Sequence, residues 1–311
     1  MPPRRILVTG ASGFVGQHLL PVLRRTFPGA AVHAAPFDVA NTAATSAAIG
    51  ATRPDALVHL AAISAIPAAR QDPGRAWQVN LHGTLNVARA VREQVPGCTM
   101  LFVSSADIYG ASFRAGVPLA EDALLAPLNT YGATKAAADL ALGAMAAEGL
   151  RVIRVRPFNH TGPGQAPGFV VAAFAEQVAR VAAGLQPPVL RVGALDPMRD
   201  FLDVRDVCAA YAACLTRAES LAPGTVLNIA SGQPRRVGDV LSALLAAAGV
   251  EAEVVTDSKR LRPTDIPVAV GDAGLAGRAL GWAPAIPWER TLADVLVDWR
   301  GRVAPSRAAL S

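Results

Sequence analysis

Tyr131 and Lys135 stand four residues apart in NTYGATKAAADL, a segment with the composition of a helix. Residues at i and i+4 share one helix face. The chain contains two lysines, Lys135 and Lys259, among 29 basic residues, and three tyrosines. Arginine fills the other basic positions, so a lysine here points to a task that a guanidinium would not perform. A tyrosine with a lysine four places on would arise by chance in roughly two per cent of chains so composed. An ammonium beside a phenol can lower its pKa and make it a proton donor or acceptor near neutral pH. The bland alternative is an incidental pair on a surface helix, and the pair alone leaves both readings open.

A second constellation lies at the N-terminus. Thr9-Gly10-Ala11-Ser12-Gly13-Phe14-Val15-Gly16 follows the apolar run Arg5 to Thr9 and opens a helical pattern from Gly13 to Arg25. Gly10 permits a tight turn, Gly13 lets the backbone approach a pyrophosphate, and Gly16 lets helix and strand pack closely. The helix N-terminus then presents free N–H groups and partial positive charge to phosphates. A glycine pattern by itself is weak, but strand–turn–helix is the context that supports it. The second strand, AVHAAP, ends in neither an acid for a ribose 2′-hydroxyl nor an arginine for a 2′-phosphate. Asp38 follows shortly and is placed to meet the adenine instead, so NAD against NADP stays undecided.

The elements that would position these groups can be read in outline. Strands are expected at Arg5 to Thr9, Ala31 to Ala35, Ala56 to Leu60, Thr99 to Ser104 and Val152 to Arg156. Helical segments fall between them, near Gly74 to Gln94 and Thr130 to Glu148. Alternating strands and helices imply right-handed crossovers and an α/β fold with a doubly wound parallel sheet. Ligands bind at the carboxyl ends of such strands. After Pro157 the pattern changes. A Gly/Pro-rich stretch at Gly162 to Gly168 precedes a helix at Phe169 to Gly184 and a strand near Leu190 to Val192. Val226 to Ala230 reads as a strand that rejoins the sheet, and Val237 to Ala248 and Arg290 to Arg300 as helices. Residues 1–158, rejoined by about 199–231, are expected to form a dinucleotide-binding domain. Residues 159–198 and 232–311 are expected to form a smaller substrate-binding cap.

Composition narrows the function classes. The chain has 311 residues, 52% apolar and 5% aromatic, with a formal charge of +5. That is enough apolar material for a substantial core and too much for disorder. No basic run or basic–aromatic repeat accompanies the positive charge, so a small anionic ligand fits better than nucleic acid. Cys98, Cys208 and Cys214 have no paired or metal-like spacing, and no metal site is expected; reduced thiols in a cytoplasmic protein are the simple reading. The start MPPRRILVTG lacks the apolar core of a signal peptide, and no apolar run is long enough to span a bilayer.

The glycine loop, His59-Leu60-Ala61-Ala62, Ser104-Ser105 and Tyr131-x-x-x-Lys135 together resemble the extended short-chain dehydrogenase/reductases, the NAD-dependent epimerase/dehydratase family. The resemblance runs nearly end to end: Arg156-Pro157-Phe158-Asn159-His160, RDFLDVRDV from Arg199, Asn228 to Gly232, Arg262-Pro263-Thr264-Asp265 and Leu280-Gly281-Trp282-x-Pro284 also recur in it. RPFNHTGPGQ followed by Phe169, with RDFLDVRDV, is most similar to its GDP-4-dehydro-6-deoxy-mannose reductases and to their relatives, the GDP-mannose 4,6-dehydratases. The resemblance implies a Rossmann sheet with a C-terminal cap, an NAD(P)H cofactor, a nucleotide-diphosphate sugar substrate, and a homodimer built through helices near Gly83 and Ala137.

Roles implied by the resemblance follow residue by residue. Ser105, four before Tyr109, polarises the substrate oxygen. Tyr131 exchanges the proton, and Lys135 lowers its pKa while holding the nicotinamide ribose. Gly10, Ser12, Gly13, Phe14, Val15 and Gly16 cradle the cofactor phosphates, and Asp38 and Val39 flank the adenine. Leu60, Ala61, Ala62, Ser104, Pro157 and Phe158 line the rest of the cofactor site, with Phe158 against the nicotinamide. Asn159, Arg199 and Arg262 are candidates for the sugar diphosphate, since an arginine fork donates two hydrogen bonds. The bland reading of both arginines is surface ion pairing. Asp107 occupies the place where family dehydratases carry a catalytic acid, usually Glu, and the place before it holds Ala106. An Asp is one methylene short, and reach matters for a catalytic carboxylate, so a reductase is favoured over a dehydratase. Asp107 argues mildly against a 4-epimerase, and a hydrogen-bonding loop role competes with a catalytic one. A non-enzymatic dinucleotide-binding regulator is a remote alternative, because Ser105, Tyr131 and Lys135 are all present.

Overall fold

The computed structural model describes residues 1–34, 36–261 and 266–304. Arg262, expected at the substrate, lies outside the described residues. The first half of the chain runs β1 (Arg5–Thr9), α1 (Phe14–Thr26), β2 (Ala31–His33), α2 (Thr42–Thr52), β3 (Ala56–His59), α3 (Ile66–Gln71), α4 (Pro73–Trp77), α5 (Thr84–Gln94), β4 (Thr99–Val103), α6 (Thr130–Ala147) and β5 (Val152–Pro157). The second half runs β6 (Asn159–Thr161), α7 (Val170–Ala182), β7 (Val189–Val192), β8 (Met198–Asp203), α8 (Val204–Thr216), β9 (Val226–Ile229), β10 (Pro234–Arg236), α9 (Val237–Ala248), β11 (Glu253–Thr256), β12 (Val268–Ala269), α10 (Gly274–Leu280) and α11 (Trp288–Val303).

Six strands form one parallel sheet in the order β2-β1-β3-β4-β5-β9. This is the expected doubly wound α/β sheet, and β9 rejoins it beside β5. Its central strands are near-continuous apolar runs buried on both faces, because helices cover both. One face packs Leu19 and Leu23 of α1 with Val207 and Tyr211 of α8. The other packs Ile49 of α2, Val87 and Val91 of α5 and Leu142 of α6. Strand order reverses between β1 and β3, which opens a crevice at their carboxyl ends. That crevice is where the glycine loop and residues 60–62 emerge.

A third apolar cluster joins Phe174 and Val178 of α7, Val240 and Leu244 of α9, and Val295 and Trp299 of α11. Strand β8 reaches both regions. Its Phe201 lies in this third cluster while its neighbour Leu202 lies in the first, as alternation along a strand requires. Around β8, strands β6, β10 and β12 complete a small sheet, and β7 pairs with β11.

The helix expected over 74–94 contains a wider π turn at Gln78–Gly83, between α4 and α5. A π turn accommodates one extra residue and turns a side chain out of register. Here the fully buried Asn80 accepts from Ile63 N–H (2.8 Å) and donates to Ile63 O (3.2 Å) and Thr134 Oγ1 (2.9 Å). All three cysteines are free and buried, and burial pushes each thiol up to about 12. No helix among the described residues is long and apolar enough to cross a membrane.

Candidate active site

The glycine loop joins β1 to α1. Gly10 has φ +68, a left-handed conformation, and a Cβ there would lie 2.7 Å from Ala61 N. Glycine is therefore needed twice over, for the turn and for the close passage of the Ala61 chain. Gly13 stands at the N-cap of α1 and supplies no side-chain cap, and the first turn carries no acid. The leading N–H groups of Phe14, Val15 and Gly16 have no intrahelical acceptor, so the helix end fits an anionic phosphate.

Beneath the loop lies a buried polar chain. His59, ending β3 and 1% exposed, meets Thr9 Oγ1 through Nδ1 (2.7 Å) and Thr84 Oγ1 through Nε2 (3.0 Å). Thr84 donates its own proton to Asn80 O (2.7 Å). Its oxygen must then accept from His59, which assigns the proton to Nε2 and leaves Nδ1 to accept from Thr9. Asn80 passes the chain to Thr134, whose hydroxyl donates to Tyr131 O (2.8 Å). The phosphate-loop strand and the Tyr131 helix are thus tied by hydrogen bonds through the core.

Burial, with Lys135 nearby, pushes His59 down from 6.5 to about 3. Its folded pKa lies below its unfolded value, so the unfolded chain takes up the proton first as pH falls. The contribution to stability is complete above about 6.5 and is lost toward about 3. Replacing His59 by Gln should flatten the dependence of urea midpoints on pH across that window. An unchanged slope would refute the assignment.

Ser105, Tyr131 and Lys135 converge at the carboxyl end of β4. Asn129 caps α6, accepting from Gly132 N–H (2.8 Å). A Cβ on Gly132 would lie 2.7 Å from Asp107 O, so glycine lets the first turn of α6 close on the segment after Ser105. Ser105 caps the short 3-10 turn at Ala106–Ile108, accepting from Asp107 N–H (3.1 Å). That cap occupies a lone pair and leaves the hydroxyl proton for another acceptor. The bland capping role and the functional one are therefore compatible.

Burial first, and then the Asp107 carboxylate, push the Tyr131 phenol well above its ordinary value of 10.0, with the Ser105 side chain acting in the opposite direction. The expectation of a lowered phenol is not met here. Desolvation penalises the phenolate, and the ammonium expected to offset it is itself hard to keep charged. Lys135 is 3% exposed, with Nζ 4.3 Å from the centre of the Phe102 ring. Burial brings it down from 10.5 to about 7, against the pull of Asp139. Such strongly shifted groups cluster at functional sites.

The other expected residues are placed as follows. Ser104, 2% exposed, directly follows β4, and its hydroxyl has no partner among the described residues. Leu60 N–H donates to Thr9 O (3.2 Å) and Ala61 N–H to Thr9 Oγ1 (3.3 Å), which holds residues 60–62 beside the glycine loop. Asp38 accepts from Ala40 N–H (2.9 Å) and pairs with Arg75 of α4 (2.7 Å), which lowers its carboxyl. The Val39 side chain is buried against the α2–α5 layer. Pro157 closes β5, at the same end of the sheet.

Phe158 differs from expectation. Its ring, 2% exposed, packs edge-on to Phe113 and beside Tyr109 in the core. Phe158 sits between β5 and β6, and the chain becomes exposed at the next residue, Asn159. Arg199 donates from Nη1 to Met198 O and Ile266 O (2.8 Å each), which anchors it in the small sheet. Burial lowers the pKa of His160, and its Nδ1–H donates to Phe158 O (2.9 Å).

Sequence reasoning passed over Asn80, Gly132, Asp139 and the hydroxyls of Thr9, Thr84 and Thr134. Asn129 three places before Gly132 was a readable helix-start signal. The rest depend on contacts between distant segments.

Residues 6–230 match the model of the NAD dependent epimerase/dehydratase family. GDP-6-deoxy-D-mannose reductase from Pseudomonas aeruginosa is 39% identical over 303 residues, covering 96% of this chain and 98% of that protein. GDP-6-deoxy-D-talose 4-dehydrogenase from Aggregatibacter actinomycetemcomitans is 30% identical over 283 residues, covering 89% and 91%. Among solved structures, RMD from P. aeruginosa complexed with NADPH superposes with a TM-score of 0.87 at 37% identity, covering 96% of this chain and 98% of that one.

Proposed function

Because the chain belongs to the NAD dependent epimerase/dehydratase family, we propose that it is a nucleotide-sugar reductase. It would reduce C4 of an NDP-4-keto-6-deoxy-hexose with NAD(P)H, GDP-4-dehydro-6-deoxy-mannose being the favoured substrate. The observation that carries this reading is the 39% identity to GDP-6-deoxy-D-mannose reductase across nearly the whole of both chains.

The residues present fit a dinucleotide. Gly10 makes room where any Cβ would collide, the first α1 amides have no side-chain cap, and the Ser104 hydroxyl has no partner among the described residues. Gly10 to Gly16 would hold the pyrophosphate, Asp38 and Val39 the adenine side, and Lys135 with residues 60–62 and 104 the nicotinamide ribose. The bound nicotinamide supplies the hydride. Ser105 donates its hydroxyl proton to the C4 carbonyl oxygen and polarises it. Tyr131, kept protonated by burial and Asp107, gives its proton to the alkoxide as it forms. A phenol held protonated is the form that a reduction consumes. Asn159 and Arg262 would meet the sugar diphosphate from the cap, residues 159–198 and 232–311, and Arg199 from the start of the segment that rejoins the first domain. We place the enzyme in the cytoplasm on its three free thiols, and propose a homodimer across α5 and α6, where Leu140 is 60% exposed.

The test is incubation with GDP-mannose and, separately, with GDP-4-keto-6-deoxy-mannose, each with NADPH or NADH. Consumption of reduced cofactor with the keto sugar alone supports the reading. Loss of water from GDP-mannose without added reductant overturns it in favour of a dehydratase. If neither GDP sugar reacts, the nucleotide assignment falls, and UDP, dTDP and CDP sugars are tried next.

A further inference from the structure

Lys135 is a buried lysine, 3% exposed, and the helix that carries it holds a built ion-pair network one turn further on. Asp139 lies one turn further along α6, on the same face, and is fully buried. Its carboxylate is gripped from β5. Arg154 Nη1 and Arg156 Nη2 each donate to Oδ1 (3.0 Å), and Arg156 Nε donates to Oδ2 (3.2 Å). We propose that Asp139, clamped between Arg154 and Arg156, is the positioning residue that governs the ammonium of Lys135, with Arg154 limiting the hold of the carboxylate.

The surroundings of Lys135 leave few other candidates. From β4 it meets the face of Phe102, and from β3 the neutral ring of His59. On its own helix Tyr131 and Asp139 stand one turn to either side, with the Asp139 charge acting on Lys135 and the Asp107 charge on Tyr131. From β5 the two arginines reach Asp139, and Arg156 in turn donates to Tyr109 and to the carbonyl of Glu121. Asp139 is the carboxylate that raises Lys135 against its burial. Two guanidiniums on one carboxylate are more cation than its charge requires, and a buried triad of this kind is poor evidence of stability for its own sake. It makes sense as a setting: enough negative charge to keep Lys135 near its titration point, not enough to lock it cationic. The arginines differ in burial. Arg156 is 5% exposed at its side chain, whereas Arg154 is 14% exposed and also donates to Gly224 O.

This inference rests on the proposed role of Lys135, but its main test needs no substrate. With two lysines in the chain, ¹³Cε-lysine labelling yields two signals, and Lys259→Arg assigns them. Asp139→Asn should move the Lys135 midpoint down by about one unit, the usual effect of losing an adjacent opposite charge. Arg154→Gln should move it up by a comparable amount. Asp139→Glu, which keeps the charge, should return it toward the parent value. A merely structural network predicts no such opposed shifts. Unchanged midpoints, or shifts of one sign in both variants, overturn the proposal. If Asp139→Asn fails to fold, Arg154→Gln decides alone, and an unmoved or lowered midpoint refutes it. Since turnover needs the ammonium, the alkaline limb of the rate profile should move the same way in each variant. Opposed NMR shifts without turnover of any keto sugar would refute the reductase reading and leave this inference standing.

Discussion

Tyr131→Phe should lower turnover of the keto sugar by about 10²–10⁴-fold, the usual worth of a positioned general acid, with little change in KM. The substitution removes one hydroxyl at the carboxyl end of β4 and keeps the ring. The α6 cap at Asn129, the Gly132 contact and the Thr134 bond to the Tyr131 carbonyl involve backbone or other side chains. The fold should therefore survive, and NADPH titration should give a near-parent affinity. Steady-state kinetics beside a cofactor titration checks both halves. Retained turnover would remove Tyr131 from the chemistry. Lost turnover with lost cofactor binding would assign it a structural role instead.

Arg156→Met should destabilise the protein by about 3–5 kcal/mol, the usual cost of breaking one side of a buried ion pair. Arg156 makes four hydrogen bonds: two to Asp139, one to the Tyr109 hydroxyl and one to Glu121 O. Without it, Asp139 keeps Arg154 alone, and the Tyr109 hydroxyl keeps Asn228 (2.7 Å). Those bonds link α6, β5 and the segment that follows Ser105, so the loss falls on the scaffold of all three catalytic candidates. With typical domain stabilities of about 5–15 kcal/mol, the variant would be marginal. Arg156→Lys should recover only part of the loss, because an ammonium cannot reproduce the planar fork. Urea unfolding of the three proteins measures the difference, and a cost under about 1 kcal/mol would show the network to be dispensable.

Local order was legible where local chemistry dictates it. The glycine loop between β1 and α1 reads from spacing alone, since strand, turn and helix follow from apolar run, Gly10 and periodicity. So does α6, whose start is set by Asn129. Helix α2 was not read, because TAATSAAIGAT spreads alanine around the whole helix and leaves no apolar stripe. The π turn at Gln78–Gly83 was hidden for another reason. It exists to turn Asn80 toward Ile63 and Thr134, residues that sequence spacing does not bring near. Strands β6, β8 and β10 carry polar residues and β12 is only two residues long, so they gain their order from pairing with one another. At the site, residue types were readable and environments were not. Lys135 and Tyr131 could be picked out, yet burial reversed the expected direction for the phenol. Phe158, placed against the nicotinamide by resemblance, turns into the core onto Phe113 and Tyr109, residues that spacing in the sequence does not bring near. The Arg154–Asp139–Arg156 clamp joins a helix to a strand, a pairing that only the fold reveals.

The most direct test of the central claim follows a single deuterium. The protein is mixed with GDP-4-keto-6-deoxy-mannose and NADPH deuterated at C4 of the nicotinamide, using each cofactor face in turn, and the product is read by NMR. The account predicts deuterium at C4 of the sugar from one face, in one-to-one proportion to oxidised cofactor. Deuterium that never reaches the sugar, together with loss of water from GDP-mannose and migration of its C4 hydrogen to C6, would contradict it.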